Sequence, residues 1–592
     1  MSKHLVICIT LTILLIRPLW AEDLDAIQVT GTKDASQFHL GSSQRVSTVE
    51  SRPSVPTINP LLESIPGLVS SQNGGLGGRV SYFIRGTESR HIAFTLDGLK
   101  LNDPSNIDRQ FDSAFFTSPI LSEATVFKGP QSVLFGSDAM GGLVSMRTRR
   151  GENAPETRLN LTAGSFGTYS SFLARDWKTQ NHNGTLTAGK IISSGFSRLN
   201  KKRFNAKEKD SADITNTTSS SEHRWKERWQ TDLLFSYTHG KSELDGNSDD
   251  NSHDHSVSDQ YLAQQKTSYA LDKKTALSLR NGLNRHQRYS NQLSLGKSTF
   301  QGRILQNEFL FQKEISHYSV SSGISTEHED LESQSLSRSF DLHSFFLQNL
   351  YKKDDWSIQG GVRAENHTRY GNFTTGSTGL SYLPGIHTFS LQYSQGFKAP
   401  GLYQLYAPAP LGNKELVPER NHSWEAGWTS KNNSWETGLS FFQNNLSNLI
   451  TYSSNGYRNQ GNFIAEGVEL SGKYAFSKFL VSSGFTHQQF REVETVVLRR
   501  PYNMANLNFS YFMTEASELF TKLRWFDSRK DLGPVHNEKL NGFETVDLGA
   551  RYVKNRDEYG IQLTNLFNRE YEELYGYTVM PRSLFLNYGR KF

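Results

Sequence analysis

From about Thr157 to the end of the chain, apolar residues recur at every second position in short segments, which are separated by polar runs rich in Asn, Ser, Asp and Gly. In 158–163, Leu159, Leu161 and Ala163 share one side and polar residues share the other. The same alternation is found in 467–476, 506–512 and 546–552. Because successive side chains of a strand point to opposite faces, this period of two predicts many amphipathic β-strands.

Such strands suit either a soluble sandwich or a barrel between lipid and a wet lumen, and two features favour the barrel. The chain ends on an alternating segment, 583–592, with a terminal Phe592. Aromatic residues also cluster near predicted strand ends, as interfacial girdles require: Tyr393, Trp424, Trp428, Phe441, Phe442 and Tyr588. Closing the barrel removes the unpaired sheet edges that lipid does not tolerate.

The length of the repetitive region, residues 155–592, predicts about 22 strands, since a spanning strand takes about 9–11 residues and its connection about as many again. A barrel of about 16 strands would need uniformly long loops. A 22-stranded barrel is too wide to be filled by its own side chains. We therefore expect a transmembrane antiparallel β-barrel whose lumen is closed by another part of the chain.

The first residues have the features of a secretory signal peptide. A short apolar run from Leu5 to Ile16 follows Lys3 and is ended by Arg17-Pro18, and we predict cleavage after Ala21. The run is shorter than the roughly 20 residues of a membrane-spanning helix. The only cysteine, Cys8, lies within it, so the mature chain is expected to have no disulfide and no cysteine-bound metal.

Charge and hydropathy exclude other classes. Lys and Arg number 64 against 59 Asp and Glu, and the charges form no dominant basic block, so nucleic acid is not an expected partner. Mean hydropathy is −0.56, and no stretch beyond the signal peptide is long and apolar enough for a membrane-spanning helix.

Residues 50–152 have a different pattern from the barrel region and predict a small α+β domain that plugs the lumen. This segment begins with four prolines, and 59–67 fits a short helix ended by Pro66-Gly67. The glycine-dense stretch 72–78 is expected to be a loop that lacks the spacing of a dinucleotide-binding fingerprint. The predicted order is therefore signal peptide (1–21), leader (22–49), plug (50–152) and barrel (153–592).

Four plug motifs carry a resemblance to a known family. They are Phe-Ile-Arg-Gly-Thr at 83–87, Leu-Asp-Gly at 96–98, Lys-Gly-Pro at 128–130 and Phe-Gly-Ser-Asp-Ala-Met-Gly-Gly at 135–142. The chain resembles the TonB-dependent outer-membrane receptors in these motifs, in the barrel and in the C-terminal strand. The resemblance implies active import of a scarce, large ligand across the outer membrane of a Gram-negative cell.

The segment after the predicted cleavage site looks like the family's energy-coupling box: Asp25, Ala26, Ile27, Gln28, Val29 and Thr30. Its alternating pattern makes it a ready strand, which can add to a sheet edge of a TonB-type periplasmic partner. The alternative interpretation is a disordered leader, because chain termini are commonly loose.

Within the family, the motifs at 84–91, 135–139, 397–400, 498–500 and 565–571 are most similar to the cobalamin transporters. That resemblance implies cobalamin as ligand, and a ferric siderophore receptor is the alternative. It also implies ligand contacts at Ser81, Glu88, Asn102, Asp103, Ser105 and Asn106 in the plug, and at Arg499 and Arg500 in the barrel. For 102–106 an ordinary polar turn is an equal alternative.

The resemblance raises the question of calcium in the outer loops, at Asp210, Asp213 and the stretch 245–259, although Ser197 stands where the family's pattern expects an aspartate. A transition metal held by Asp249, Asp250, His253, Asp254 and His255 is a further alternative, and a solvated loop is favoured over it. We therefore assign no metal and expect no required cofactor.

Rival functions lack their sequence signals. The chain contains neither Gly-x-Ser-x-Gly nor His-Glu-x-x-His, and Asn291 replaces the first glycine of a phosphate loop before Lys297, so an enzyme is not expected. A passive porin or adhesin would lack the plug motifs and the coupling box. Between the two ligand classes, an aromatic and arginine-rich outer pocket would favour an anionic siderophore, and neutral hydrogen-bonding residues would favour a corrin.

Overall fold

The computed structural model describes residues 43–47, 54–151, 155–204, 206–245, 254–292, 296–453, 455–492, 497–533 and 537–592. The predicted signal peptide and coupling box lie outside these ranges, as do Asp249, Asp250 and His253. Among the described residues, no helix combines the length and apolar character needed to cross a membrane.

The N-terminal part forms the predicted α+β plug. Its elements are β1 (Ser43–Ser47), α1 (Asn59–Leu62), β2 (Leu68–Gln72), β3 (Val80–Ile84), β4 (Ile92–Leu96), β5 (Leu99–Lys100), β6 (Leu121–Lys128), α2 (Ser132–Phe135) and β7 (Gly142–Thr148). Five strands form one sheet in the order β1-β6-β7-β4-β5, in which only the β4–β7 pair is parallel among the described strands. Strands β2 and β3 form a separate hairpin.

The plug has an aromatic core. Tyr82, Phe94 and Phe111 are fully buried and pack in sequence as tilted pairs, with ring centroids 5.5 Å and 5.1 Å apart. The predicted helix at 59–67 is present but shorter, because α1 ends at Leu62. The chain then turns through Gly67, whose φ of 75° falls in the left-handed region that favours glycine.

The barrel has 22 strands, which confirms the predicted number. They are β8 (Thr157–Gly164), β9 (Thr168–Lys178), β10 (His182–Ser193), β11 (Ala212–Lys226), β12 (Trp229–Glu243), β13 (His255–Asp272), β14 (Thr275–Gln292), β15 (Gly296–Ile315), β16 (Tyr318–Ser333), β17 (Ser337–Lys353), β18 (Trp356–His367), β19 (Gly371–Tyr382), β20 (His387–Lys398), β21 (Glu419–Lys431), β22 (Trp435–Ser447), β25 (Phe463–Phe476), β26 (Phe479–Glu492), β27 (Asn503–Thr514), β28 (Ser517–Phe526), β31 (Phe543–Lys554), β32 (Asp557–Thr564) and β33 (Ser583–Lys591).

The remaining elements lie in the long connections. They are α3 (Lys201–Phe204), α4 (Leu402–Tyr406), and two small hairpins, β23 (Ile450–Ser453) with β24 (Gly456–Asn459) and β29 (Arg529–Leu532) with β30 (Asn537–Leu540). The last strand pairs with the first, Leu586 opposite Ala163, and this pairing closes the barrel.

The alternating pattern sorts side chains between the outside and the plug. On β9, Tyr169 and Leu173 are exposed while Phe172 and Ala174 are buried. One predicted girdle residue is placed wrongly by the sequence interpretation: Phe442 is buried and lies under a plug arginine, Arg85, 4.8 Å from the guanidinium carbon to the ring centre. Its neighbour Phe441 takes the outward position, because adjacent residues of a strand face opposite sides.

Candidate functional site

A buried arginine fixes the plug to one wall of the barrel. Arg85 follows β3 in a left-handed conformation with φ 48°, which turns its side chain toward the wall. Its guanidinium donates to Glu425 of β21 and to Glu469 of β25, each at 2.8 Å. Lys128 at the end of β6 adds a 3.0 Å pair with Glu469. Two cations and two carboxylates thus balance inside the lumen.

A second buried ionic cluster is centred on Asp138, in the loop after α2. Lys398 of β20 lies 2.8 Å from its carboxylate, and Arg109 lies 3.2 Å away. Burial alone would raise the pKa of Asp138, but Arg109, Lys398 and Lys100 outweigh it and hold that pKa below its ordinary value. Arg109 also reaches Glu329 of β16 at 2.5 Å. The cluster therefore joins the plug to β16 and β20.

A third contact brings together two of the predicted ligand residues, Glu88 and Arg500. Arg500 lies 3.3 Å from the Glu88 carboxylate and also donates to the carbonyl oxygen of Gly86. Arg90 bridges Glu88, at 2.9 Å, and Glu419 of β21, at 3.1 Å. Burial would raise the pKa of Glu88, but Arg90 and Arg500 lower it below its ordinary value.

The predicted apex residues are buried and bonded within the protein. Asp103 accepts hydrogen bonds from the backbone and hydroxyl groups of Ser105, at 2.8 Å and 2.6 Å. The Asn102 side chain accepts from Phe94 N and donates to Arg109 O. The Asn106 side chain donates to the carbonyl oxygen of Gln110. These side chains shape the turn in this structure, and a ligand role for Asn102, Asp103, Ser105 and Asn106 stays a prediction.

The other two predicted residues lie apart from the apex turn. Ser81 is half-buried on β3, opposite Ser71 of β2. Arg499 has a φ of 63°, and its guanidinium donates to Asp531 of the β29–β30 hairpin at 2.7 Å. Their predicted ligand contacts also stay predictions.

An arginine–tyrosine cluster occupies the outer mouth, formed by Arg338, Arg369, Tyr370, Tyr403 and Tyr406. The Arg369 guanidinium carbon lies 5.6 Å from the ring centres of both Tyr370 and Tyr406. Arg338 lies over the same Tyr406 ring at 5.5 Å. Both arginines are exposed.

Sequence reasoning missed this cluster. Its members come from the start of β17, from the turn before β19 and from α4, so no local spacing connects them. The available signal was the presence of Arg369-Tyr370 in one connection and of Tyr403 and Tyr406 in the connection after β20.

The structure brings together some of the residues considered for a calcium site. Asp210 and Asp245 come together with Glu208, and one carboxylate oxygen of each lies within 4.8 Å of the others. Burial raises the pKa of Asp210 above its ordinary value. Asp213 is separate, because it pairs with Lys190 at 2.9 Å, and Asp259 accepts from Tyr237.

Further round the barrel wall, beginning two strands beyond β25, a cavity of about 180 Å³ lies between part of the plug and β27, β28, β31 and β32. Residues from 54–64 of the plug form one side, and Lys522, Arg524 and Asp547 project from the barrel. Arg524 reaches Glu63 across this gap at 2.6 Å, and both side chains retain about a fifth of their exposure, 22% and 19%.

Family comparison agrees with this architecture. Residues 156–568 match the model described as TonB dependent receptor-like, beta-barrel, and residues 42–143 match the TonB-dependent Receptor Plug Domain. The chain belongs to the TonB-dependent receptor family, whose barrels lie in the outer membrane.

Solved structures with the same fold include the FrpB iron transporter from Neisseria meningitidis, with 14% identity, a TM-score of 0.80 and coverage of 93% of this chain and 99% of that one. The siderophore receptor PirA from Acinetobacter baumannii has 14% identity, a TM-score of 0.80 and coverage of 95% and 99%. The copper transporter OprC has 13% identity, a TM-score of 0.79 and coverage of 93% and 98%.

Proposed function

We propose that this protein imports an anionic ferric chelate of the siderophore class by TonB-dependent transport. The observation that carries the proposal is the arginine–tyrosine cluster at the outer mouth. Exposed guanidinium groups at Arg338 and Arg369 offer charge-assisted hydrogen bonds to an anion, and the tyrosine rings offer flat apolar faces. A few polar groups on an otherwise aromatic surface are typical of small-molecule sites.

The relatives give supporting evidence. PirA is described as a siderophore receptor and FrpB as an iron transporter, which favours an iron chelate over the cobalamin predicted from sequence motifs. The polar turn 102–106, which was predicted to contact a corrin, uses its side chains in hydrogen bonds within 102–110. Cobalamin import stays a prediction that binding measurements can test.

Binding of ferric siderophores, cobalamin and copper to the purified protein tests the ligand class. We expect a ferric siderophore to bind, and the double variant R338A/R369A to weaken that binding at least about tenfold, because two charge-assisted contacts are lost. R551A is the matched control, since Arg551 pairs with Glu558 near a periplasmic turn. Tight binding of cobalamin alone, or an unchanged affinity in R338A/R369A, would contradict the proposal.

A route from ligand to plug runs through α4. Gly401, just before α4, packs so closely on the plug that a Cβ there would lie 3.0 Å from the carbonyl oxygen of Ile107. Two residues further along the plug, Arg109 contacts the Asp138 cluster. Ligand that shifts α4 therefore presses on the plug apex and biases the buried ionic contacts below it.

Transport requires energy from the periplasmic side, which we propose enters through residues 25–30. An extended segment there can add as a strand to a TonB-type partner and transmit tension. Deleting 25–30 is expected to abolish uptake while ligand affinity stays unchanged. Uptake at the wild-type rate in this deletion would reject the coupling segment, and loss of binding would show a different role for it.

We further propose that Glu208, Asp210 and Asp245 bind calcium. Three converging carboxylates suit a cation with oxygen ligands, and calcium would relieve their mutual repulsion. Asp210 also accepts from Arg198 N at 2.7 Å, and Arg198 donates to Leu76 O of the plug, so the ion would stabilise this loop on the plug. Calorimetry should show calcium binding that is lost in D210N and retained in D213N, and equal binding by both variants would refute the site.

A further inference from the structure

Two arginines face each other on the outside of the barrel. Arg285 of β14 and Arg303 of β15 are direct partners in the strand register. Both point away from the plug, because the residues that alternate with them, Asn284 and Ile304, are fully buried on the inner face. Arg285 is exposed, and the Arg303 side chain keeps 40% of its exposure.

The pair marks the upper limit of the apolar outer face. One step nearer the periplasmic turns, the outward residues are Leu283 and Leu305, which also face each other. Beyond an exposed pair of asparagines, Asn281 and Asn307, the outward face is apolar again at Leu279 and Phe309, with 48% and 42% exposure. Toward the outer end, the same register continues with a pair of glutamines, Gln287 and Gln301. The arginines therefore lie at the height where lipid chains give way to headgroups.

Opposed like charges on neighbouring strands are destabilising unless an anion lies between them. Arg303 uses its Nε to donate to Asp330 at 2.7 Å, and Arg285 donates to the neutral Gln301 at 3.3 Å. Among the described contacts, the Asp330 carboxylate pairs with Arg303, and Arg285 has a neutral partner. The N–H donors that these contacts leave unused can bind a group with several anionic oxygens, and arginine suits phosphate through paired N–H donors.

We propose that Arg285 and Arg303 bind a phosphate of a phosphorylated glycolipid in the outer leaflet, with its acyl chains against Leu283, Leu305, Leu279 and Phe309. A membrane lipid is favoured over free phosphate because the leucine pair Leu283 and Leu305 lies directly below the arginines on the lipid-facing side. This site is separate from the ligand site in the lumen. It fixes the height of the barrel in the membrane at this wall.

Native mass spectrometry of the detergent-purified full-length protein with added lipid A tests the site. R285A/R303A should retain at least about tenfold less phosphorylated lipid A than the wild type, because both charge-assisted contacts are lost. K313A is the matched control and should retain the wild-type amount, since Lys313 is an exposed cation of β15 near the opposite end of the strand. R303K should fall between the two, because lysine keeps the charge but loses the paired donors.

Phosphate-free lipid A provides a second measurement on the wild-type protein, which does not depend on how the variants fold. We expect the wild type to retain the phosphorylated form at least about tenfold more strongly. Equal retention of the two forms would overturn the proposal. Equal loss in K313A and R285A/R303A would also overturn it, because it would show general charge attraction at the barrel surface.

Discussion

Two adjoining stretches of the barrel wall, one from β16 to β25 and one from β27 to β32, hold the plug in different ways. Toward β16, β20, β21 and β25, the plug is joined by ion pairs whose side chains are almost fully buried, such as Arg85 with Glu425 at 1% and 7% exposure. Toward β27, β28, β31 and β32, a cavity intervenes, and the Arg524–Glu63 pair remains partly exposed. Breaking a buried pair costs about 3–5 kcal/mol, whereas an exposed pair contributes about 0–1 kcal/mol. Buried ion pairs therefore hold the plug strongly along β16–β25, whereas the Arg524–Glu63 pair holds it more weakly along β27–β32.

The order of residues along the chain predicts which part of the plug moves first. Residues 54–64, which line the cavity, follow β1 and the predicted coupling segment in sequence. Tension applied to residues 25–30 therefore reaches β1, which pairs with β6, and then residues 54–64 beside the cavity, before it reaches Arg85 or Asp138 along the chain. We expect the passage to open along β27–β32 while the stretch from β16 to β25 keeps its ion pairs.

The largest effect on ligand uptake is expected from cross-links that hold the plug to one stretch of the barrel wall at a time. The mature chain is predicted to have no cysteine, so a pair introduced at Ser64 and Asn506 can be joined by a short thiol cross-linker. Asn506 donates to the carbonyl oxygen of Ser64 at 3.1 Å, so the two residues are close. This cross-link is expected to stop uptake of radiolabelled ferric chelate, since the plug cannot leave the cavity wall.

The matched cross-link joins Ser137 and Ala399 at the end of β20, in the stretch held by buried ion pairs, where the Ser137 hydroxyl accepts from Ala399 N at 3.2 Å. It should leave most of the uptake intact. A cleavable linker restores the first variant and serves as its control. Equal inhibition by the two cross-links would show that the plug moves as one body and would end the distinction between the walls.

The next largest effect is expected on plug stability, when the buried Arg85 is replaced. Arg85→Ala removes the cation that pairs with Glu425 and leaves Glu469 with Lys128, and it is expected to lower the free energy of plug unfolding by about 3–5 kcal/mol. Urea titration with limited proteolysis of the plug measures this loss. Adding E425Q to R85A should restore part of the stability, because the carboxylate charge that has lost Arg85 is removed while Glu469 keeps Lys128. A double variant no more stable than R85A would show that packing, not charge, dominates there.

A smaller effect is expected at the cavity. Arg524→Met removes the partner of Glu63 in a partly exposed position, and the same titration should change by no more than about 1 kcal/mol. Lys522→Met, in the same cavity wall, is the control for loss of charge alone. A loss as large as that of R85A would place a strong anchor on this wall too.

The smallest effect is expected in the dependence of plug stability on pH. The pKa values of Asp138 and Glu88 are lowered from ordinary values of 3.8 and 4.5, although burial acts against this. A lowered folded-state pKa gives stability that is present above the ordinary value and lost as pH falls below it. Plug stability should therefore decline below about pH 4.5, and D138N should decline less steeply. An identical slope in D138N would exclude Asp138 as a contributor.

Local pattern accounts for much of what could be predicted. Alternation along one strand decides which side chains face lipid, so the barrel, its 22 strands and the plug followed from residue order and length. The same rule places Phe442 inward once the strand register is known, and guessing that register from aromatic clustering caused the error. The outward arginine pair was not identified from sequence because opposition across strands depends on which residues of β14 and β15 align.

By itself, the sequence determined the class of protein. The alternation of apolar residues and the glycine-rich plug motifs depend only on neighbouring residues, and the strand number follows from chain length. Only the tertiary structure decided how the plug is held and where a ligand can bind. Arg85 and Glu469 are separated by 384 residues, as are many partners that meet across the lumen, and such pairs are fixed by barrel closure and strand register. The arginine–tyrosine cluster likewise exists only because three distant connections converge at one mouth of the barrel.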